Sequence, residues 1–157
     1  MKLSAHFYLS EFTQSQTATR LMLDNTPGRA EIAALKLLCE KVLEPVRENY
    51  GRPVIISSGY RSPAVNRALY GSRDSQHGKG EAADFEIAGI SNLRICQWME
   101  RSLNYDQLIL EFYEPGVAAS GWVHVSYREP FRNEERTARR VLRSGRRSTE
   151  YVEGIVG

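Results

Sequence analysis

The stretch Ser75-Gln76-His77-Gly78-Lys79-Gly80-Glu81-Ala82-Ala83-Asp84 sets the terms on which the rest of the chain is read. Gly78 and Gly80 mark a loop, and Ala82 opens a strand, so the segment runs from loop into strand with His77 and Asp84 along it. A third candidate ligand, His124, sits in Trp122-Val123-His124-Val125-Ser126. Two imidazoles and a carboxylate are what a catalytic zinc site needs, because three protein ligands leave a fourth position for water. The chain has three His in all, so a site of this kind uses two of them. Spacing alone leaves a second reading open, in which two unrelated His accompany a strand-end Asp.

A chain of 157 residues suffices for one domain with a real core and is short for two. Its 41% hydrophobic and 25% charged residues place it among ordinary globular proteins. Net charge of +2 names no partner, but its distribution is uneven: Arg132 to Arg147 holds seven Arg and two Glu. The default expectation for that segment is a solvated helix face, and the alternative is a tether to an anionic polymer. No nucleic-acid-binding module surrounds it, so nucleic acid is not expected as the main partner. Cys39 and Cys96 lie among apolar helix residues and read as small core hydrophobes rather than a disulfide or nucleophiles. No apolar run is long enough to span a bilayer, so membrane insertion is not expected. Met1 to Tyr8 lacks the apolar core of a secretory leader, which implies synthesis and initial residence in the cytoplasm.

Phe7, Tyr8, Leu9 and Phe12 are expected to anchor a polar N-terminal region. Ile32, Leu35, Leu38, Cys39, Val42 and Val46 recur with helical period from Ala30 to about Asn49, with Pro45 predicting a kink or early end. Pro53 to Ser58 reads as a buried strand. Ser62-Pro63 reads as an N-cap and first helical residue of a short helix to about Tyr70. Residues 71 to 80 are expected as loop, Ala82 to Ile87 as strand and Ser91 to Ser102 as helix, with Leu93, Cys96 and Met99 inward. Gln107 to Tyr113 and Trp122 to Tyr127 then form an antiparallel hairpin with a long loop. The order of elements predicts an α+β class with an antiparallel sheet packed against helices.

Ser58-Gly59-Tyr60-Arg61-Ser62, Val65-Asn66, Ser75-Gln76-His77, Gly80-Glu81-Ala82-Ala83-Asp84 and Trp122-Val123-His124-Val125-Ser126 together resemble the peptidase M15 family. Its members are zinc D-Ala-D-Ala carboxypeptidases and related peptidoglycan endopeptidases, and the small phage-associated branch is the most similar. The resemblance covers about Phe7 to Tyr127, each motif weak alone and the ordered set specific. It implies a hedgehog/DD-peptidase-like fold and one zinc ion per chain held by His77, Asp84 and His124. The expected organisation is a zinc peptidase domain over 1–130, with the Arg-rich 131–157 part of it or appended.

Strand alternation bears on the same residues. Val123, Val125 and Tyr127 share one face and Trp122, His124 and Ser126 the other; Leu108, Leu110 and Phe112 oppose Ile109, Glu111 and Tyr113 in the same way. If Tyr113 pairs with Trp122, Glu111 falls opposite His124, with Cβ atoms about 4.5–5.5 Å apart. In better-known branches of the family an acidic general base precedes the last His by three positions, and here that position is Gly121. Glu111 is the replacement favoured over Glu114, which lies in the loop. Arg61 is expected to bind a substrate carboxylate or stabilise developing negative charge. Ser58, Ser75 and Gln76 are candidate orienting donors, and Tyr60, Trp122 and Tyr127 candidates to line the cleft.

The resulting expectation is zinc-assisted hydrolysis of peptidoglycan stem peptides, as a carboxypeptidase or endopeptidase. Without a leader, a phage lysis enzyme or a virion-associated one fits such a substrate. The rivals are a non-catalytic zinc module of hedgehog-like fold, a soluble D,D-dipeptidase and a structural domain of a phage particle.

Overall fold

Alternation of side chains along three short strands decides which side of the sheet faces the core. In the computed structural model, which describes residues 1–157, Ala83 and Phe85, Leu108 and Leu110, and Val123 and Val125 are buried on one face. These side chains come from β2 (Ala82–Glu86), β3 (Gln107–Glu111) and β4 (Trp122–Ser126). The remaining strands are β1 (Ile55–Ser58), β5 (Glu134–Arg143) and β6 (Arg146–Glu153), and the sheet order is β1-β2-β4-β3-β5-β6. All neighbours are antiparallel except β3 and β5, which run parallel. The fold is α+β, a single compact unit with a mostly antiparallel sheet.

The apolar back face packs on helices. Leu35 and Leu38 of α3 (Arg29–Leu38), Val46 of α4 (Glu44–Tyr50), and Ile95, Cys96 and Met99 of α6 (Asn92–Ser102) join the strand residues in one core. The helix from Arg29 neither ends nor breaks at Pro45. A π-helical turn over Cys39–Leu43, in which the Glu44 N–H reaches back to Cys39 O, precedes the proline, and the helix continues to Tyr50. The wider turn accommodates a ring that a regular α-helix interior rejects. Burial pushes the Cys39 thiol up to about 12, in keeping with a core role. Two short helices, α1 (Leu9–Thr13) and α2 (Gln16–Leu21), order the N-terminal region. There Phe7 and Phe12 are buried, while Tyr8 is exposed. Ser62 Oγ caps α5 (Pro63–Ala68) through Val65 N–H, and Ser91 Oγ caps α6 through Arg94 N–H. No helix is long and apolar enough to cross a membrane.

Two expectations are corrected. The Arg-rich segment is a β-hairpin rather than a helix, turning at Ser144-Gly145 with φ of 51° and 74°. Consecutive left-handed residues are what a two-residue hairpin turn needs. The β3–β4 register also differs by two residues, pairing Ile109 with His124 and Glu111 with Trp122. Phe112 turns left-handed (φ 55°) and gives its N–H to Ala138 O in β5, so Tyr113 leaves the ladder. Asn92 Nδ2 donates to Ser120 O and Gly121 O and holds the returning loop. A two-residue shift preserves the face of every side chain, so Glu111 and His124 remain on the same side as diagonal neighbours.

Gly121 closes this loop at φ 67°, where a Cβ would collide with the Glu111 carbonyl. Left-handed backbone alone costs a residue with a Cβ about 1–2 kcal/mol. Gly121→Ala is expected to lower unfolding free energy by roughly 2 kcal/mol or more in urea titrations; an unchanged midpoint would contradict this loop geometry.

Candidate metal centre

The front face of the sheet, opposite the core, carries the chemistry. Asp84 of β2 lies directly across from His124 of β4, and Asp84 Oδ1 accepts a hydrogen bond from His124 Nδ1 at 2.8 Å. His77 arrives from outside the sheet on a 3-10 turn, Gln76–Lys79. Its Nδ1–H donates to Gly59 O at 2.8 Å, and its Nε2 lies 3.5 Å from Asp84 Oδ1. Ligand atoms of His77, Asp84 and His124 all fall within 4.8 Å of one another. The two rings stand 5.1 Å apart between centroids.

Electrostatics makes this set suited to a cation. Burial holds His77 below the usual imidazole range, with the nearby Asp84 carboxylate opposing that effect. A neutral His77 with its proton on Nδ1 turns a bare Nε2 lone pair toward a carboxylate oxygen. Two lone pairs facing each other at 3.5 Å have no hydrogen between them, and a divalent cation placed there would supply the missing positive charge. Zinc bonds of about 2.0–2.1 Å in tetrahedral array separate donors by about 3.4 Å. The donor set of two imidazole nitrogens and one carboxylate oxygen also matches zinc chemistry. Burial works to raise the Asp84 carboxyl, yet the hydrogen bond from His124 and the two imidazoles beside it hold it well below the usual range.

Neighbouring backbone fixes the set. A Cβ on Gly59 would meet the Phe12 backbone, and Tyr60 N–H donates to Phe12 O at 2.7 Å. The carbonyl that orients His77 is therefore locked against α1. Arg61 N–H donates to His77 O, and Arg61 Nη2 lies 3.6 Å from Asp84 Oδ2. Ser58, the register partner of Asp84, accepts from Arg61 Nε and Nη2 through its hydroxyl.

Glu111 sits on the same face, opposite Trp122 and diagonal to His124. Diagonal partners lie about 7–8 Å apart at Cβ, within reach of a long side chain. Burial pushes its carboxyl up to about 7, with His124 opposing and Asp84 adding to the rise. Glu114 is exposed in the loop. A carboxylate at the Gly121 position is sterically barred by the same collision that demands glycine there.

The other candidates divide. Trp122 packs against Phe112 at 5.4 Å on the front face beside Glu111. Tyr60 is buried in the core, and Tyr127 is buried on the core side with its hydroxyl donating to Glu129. Ser75 O accepts from Gly78 N–H in the turn that carries His77. Gln76 Nε2 donates to Glu81 and to Asp106 Oδ2 at 2.9 Å. Asp106 is wholly buried, and Arg132 binds it through Nε (2.9 Å) and Nη2 (2.8 Å). The clamp ties the His77 turn to β3 and to the start of the Arg-rich hairpin. Asn25 is another residue that the motifs omit: it donates to Tyr60 O and accepts from Ser62 N–H, holding the loop around Arg61. Neither residue sits in a recognisable pattern; each is visible only once distant segments meet.

A sequence model described as Peptidase M15 matches residues 5–126. The chain belongs to the peptidase M15 family. The match takes in all three candidate ligands, Arg61 and Glu111 of this M15 peptidase, and stops before the β5–β6 hairpin. No curated protein matches the chain.

Glu111 gives a stability test of the metal-free chain. An unperturbed glutamate ionises near 4.5 and folded Glu111 near 7, so in that window the fold keeps a proton that the unfolded chain has lost. Its stability contribution is fully present below 4.5 and lost as pH rises through 7. Glu111→Gln is expected to melt at the wild-type temperature at pH 4 and above it at pH 8, read by calorimetry. A difference independent of pH would contradict the environment described for Glu111.

Proposed function

We propose that this M15 peptidase is a zinc-dependent hydrolase of peptidoglycan stem peptides, acting as a D,D-carboxypeptidase or an L,D-type endopeptidase. The observation that carries the reading is the paired environment of two carboxylates on one sheet face. Asp84 is held ionised between two His, while Glu111 has its carboxyl pushed up to about 7. Separation of this kind suits one carboxylate to cation binding and the other to proton transfer near neutrality.

His77 Nε2, a ring nitrogen of His124 and an Asp84 oxygen are the atoms that would hold the ion. Zinc in such a set supplies Lewis acidity toward a peptide carbonyl and brings the ionisation of water near neutrality. Glu111 accepts a proton from the attacking water at its carboxylate and passes it to the leaving amine. Arg61, steadied by Ser58 and close to Asp84, offers its remaining N–H groups to a substrate carboxylate or to developing negative charge on the carbonyl oxygen. Ser75 and Gln76 support His77 through the turn rather than through direct contact with its ring. Trp122 flanks the cleft. A hedgehog/DD-peptidase-like fold and the small phage-associated branch agree with this layout, and so does a role in phage lysis or within a virion.

Digestion of purified peptidoglycan with mass analysis of the fragments tests the proposal. Zinc-loaded wild type is expected to release stem-peptide fragments. Glu111→Gln is expected to keep its zinc and lose about 100-fold or more in turnover, the scale of a general base. Near-wild-type rates in that variant would remove Glu111 from the mechanism. Zinc binding with no fragments from wild type would favour a non-catalytic module.

A further inference from the structure

The β5–β6 hairpin lies beyond the residues that the family model matches, yet it extends the same front face. Register carries that face across the sheet. One row runs Asp84, His124, Ile109, Arg136 and Glu153, and the next runs Trp122, Glu111, Ala138 and Tyr151. Ala138 is a small, fully buried side chain between Glu111 and Tyr151, so the phenol has no bulky residue between it and the carboxylate. Tyr151 is 55% exposed, which leaves its ring available to a ligand. Burial raises its hydroxyl's pKa, and the Glu111 charge adds to the rise while Arg136 opposes it, as expected of groups that share a face.

Arg140 is the next front-face residue after Ala138 along β5, since alternate residues share a face. Its guanidinium lies 4.9 Å over the Phe112 ring, an arrangement that fixes the plane and leaves its N–H edge free. Three other arginines of the segment are committed elsewhere, whereas Arg139, Arg146 and Arg147 also have no salt-bridge partner. Arg132 is bound to Asp106, Arg136 to Glu134, and Arg143, on the opposite face, to Glu150. Arg140 has no carboxylate partner within salt-bridge distance. A planar cation held by stacking, unpaired and beside an exposed phenol, is suited to a carboxylate, which it can bind with two parallel N–H bonds.

We infer that Arg140 and Tyr151 form a binding subsite for a side-chain carboxylate of the peptide substrate, on the Glu111 side of the metal centre. This rests on the peptidase reading given above and names the charge that its substrate carries. One strand spacing and two residues of rise put Arg140 about 8 Å from Glu111 along the sheet. That is the span of two or three extended residues, so the recognised carboxylate sits two or three residues from the bond that is cut. Arg61 and Arg140 then read different parts of one substrate.

The test uses a stem-type peptide with a free side-chain carboxylate at that distance and the same peptide with a carboxamide there. Calorimetry measures both against the metal-free full-length chain, and turnover by the zinc-loaded chain is followed separately. Wild type is expected to bind the carboxylate peptide about tenfold more tightly than the carboxamide. Arg140→Gln should erase the difference, and Tyr151→Ala should weaken binding of both peptides. Arg143→Gln, on the far face of the same strand, should preserve the discrimination. In turnover, Arg140→Gln should raise KM for the carboxylate peptide alone, with kcat within about twofold. Equal wild-type affinity for the two peptides, discrimination that survives Arg140→Gln, or equal loss in Arg143→Gln overturns the inference. Charge discrimination that depends on Arg140, without turnover of either peptide, supports the subsite and counts against the peptidase reading.

Discussion

A buried carboxylate facing two imidazoles is the constraint around which this molecule is arranged. Asp84 is 8% exposed and His77 5%, and a charge so placed is tolerated only with close partners. His124 across the strand pair, His77 on its turn and Arg61 at 3.6 Å provide them. Each partner has its own support. The β2–β4 ladder fixes His124, the Gly59 carbonyl fixes His77, and the Ser58 hydroxyl helps to fix Arg61. The Asp106 clamp with Gln76 and Arg132 holds the whole His77 turn against the sheet. Several polar bonds outside regular secondary structure therefore converge on positioning one cluster.

The same sheet face separates its two acids. Asp84 is surrounded by donors and stays ionised, whereas Glu111 lies at the cluster's edge, where burial dominates and its carboxyl is pushed up to about 7. Like charge from Asp84 contributes to that rise, so the two environments are coupled. A front face built from alternating strand residues gives this result with little machinery. One strand step selects the face, and distance across the ladder sets how strongly each group feels the others.

Much of this arrangement was legible in the sequence. Alternation in Trp122-Val123-His124-Val125-Ser126 and in Gln107 to Glu111 sorted front from back correctly, because a period of two leaves little choice once one face is aliphatic. The Ser62-Pro63 start of α5 and the Ser91 cap of α6 also stand where local chemistry puts them. What escaped depends on partners distant in sequence. The β3–β4 register shifted by two because Phe112 hydrogen-bonds to Ala138, a strand that was expected as helix. The Arg-rich segment read as a helix face because its charges mask a hairpin whose one local signal is Ser144-Gly145. Pro45 predicted a kink or an early end; the helix runs on, with a π-turn over Cys39–Leu43 ahead of the proline. Tyr127 and Tyr60, candidates for the cleft, both pack in the core cluster, and Tyr60 also borders the pocket lined by Ser58 and Arg61. The loss of an acid three positions before His124 has a steric cause: the backbone at Gly121 turns left-handed against Glu111, so the carboxylate must come from another strand.

Zinc titration of the full-length chain by calorimetry, alongside Asp84→Asn, His77→Ala and His124→Ala, tests the central claim most directly. The account predicts one zinc per wild-type chain and affinity lower by at least about tenfold in each variant, with folding checked by circular dichroism. Failure of wild type to bind zinc, or binding unchanged in well-folded variants, would contradict it.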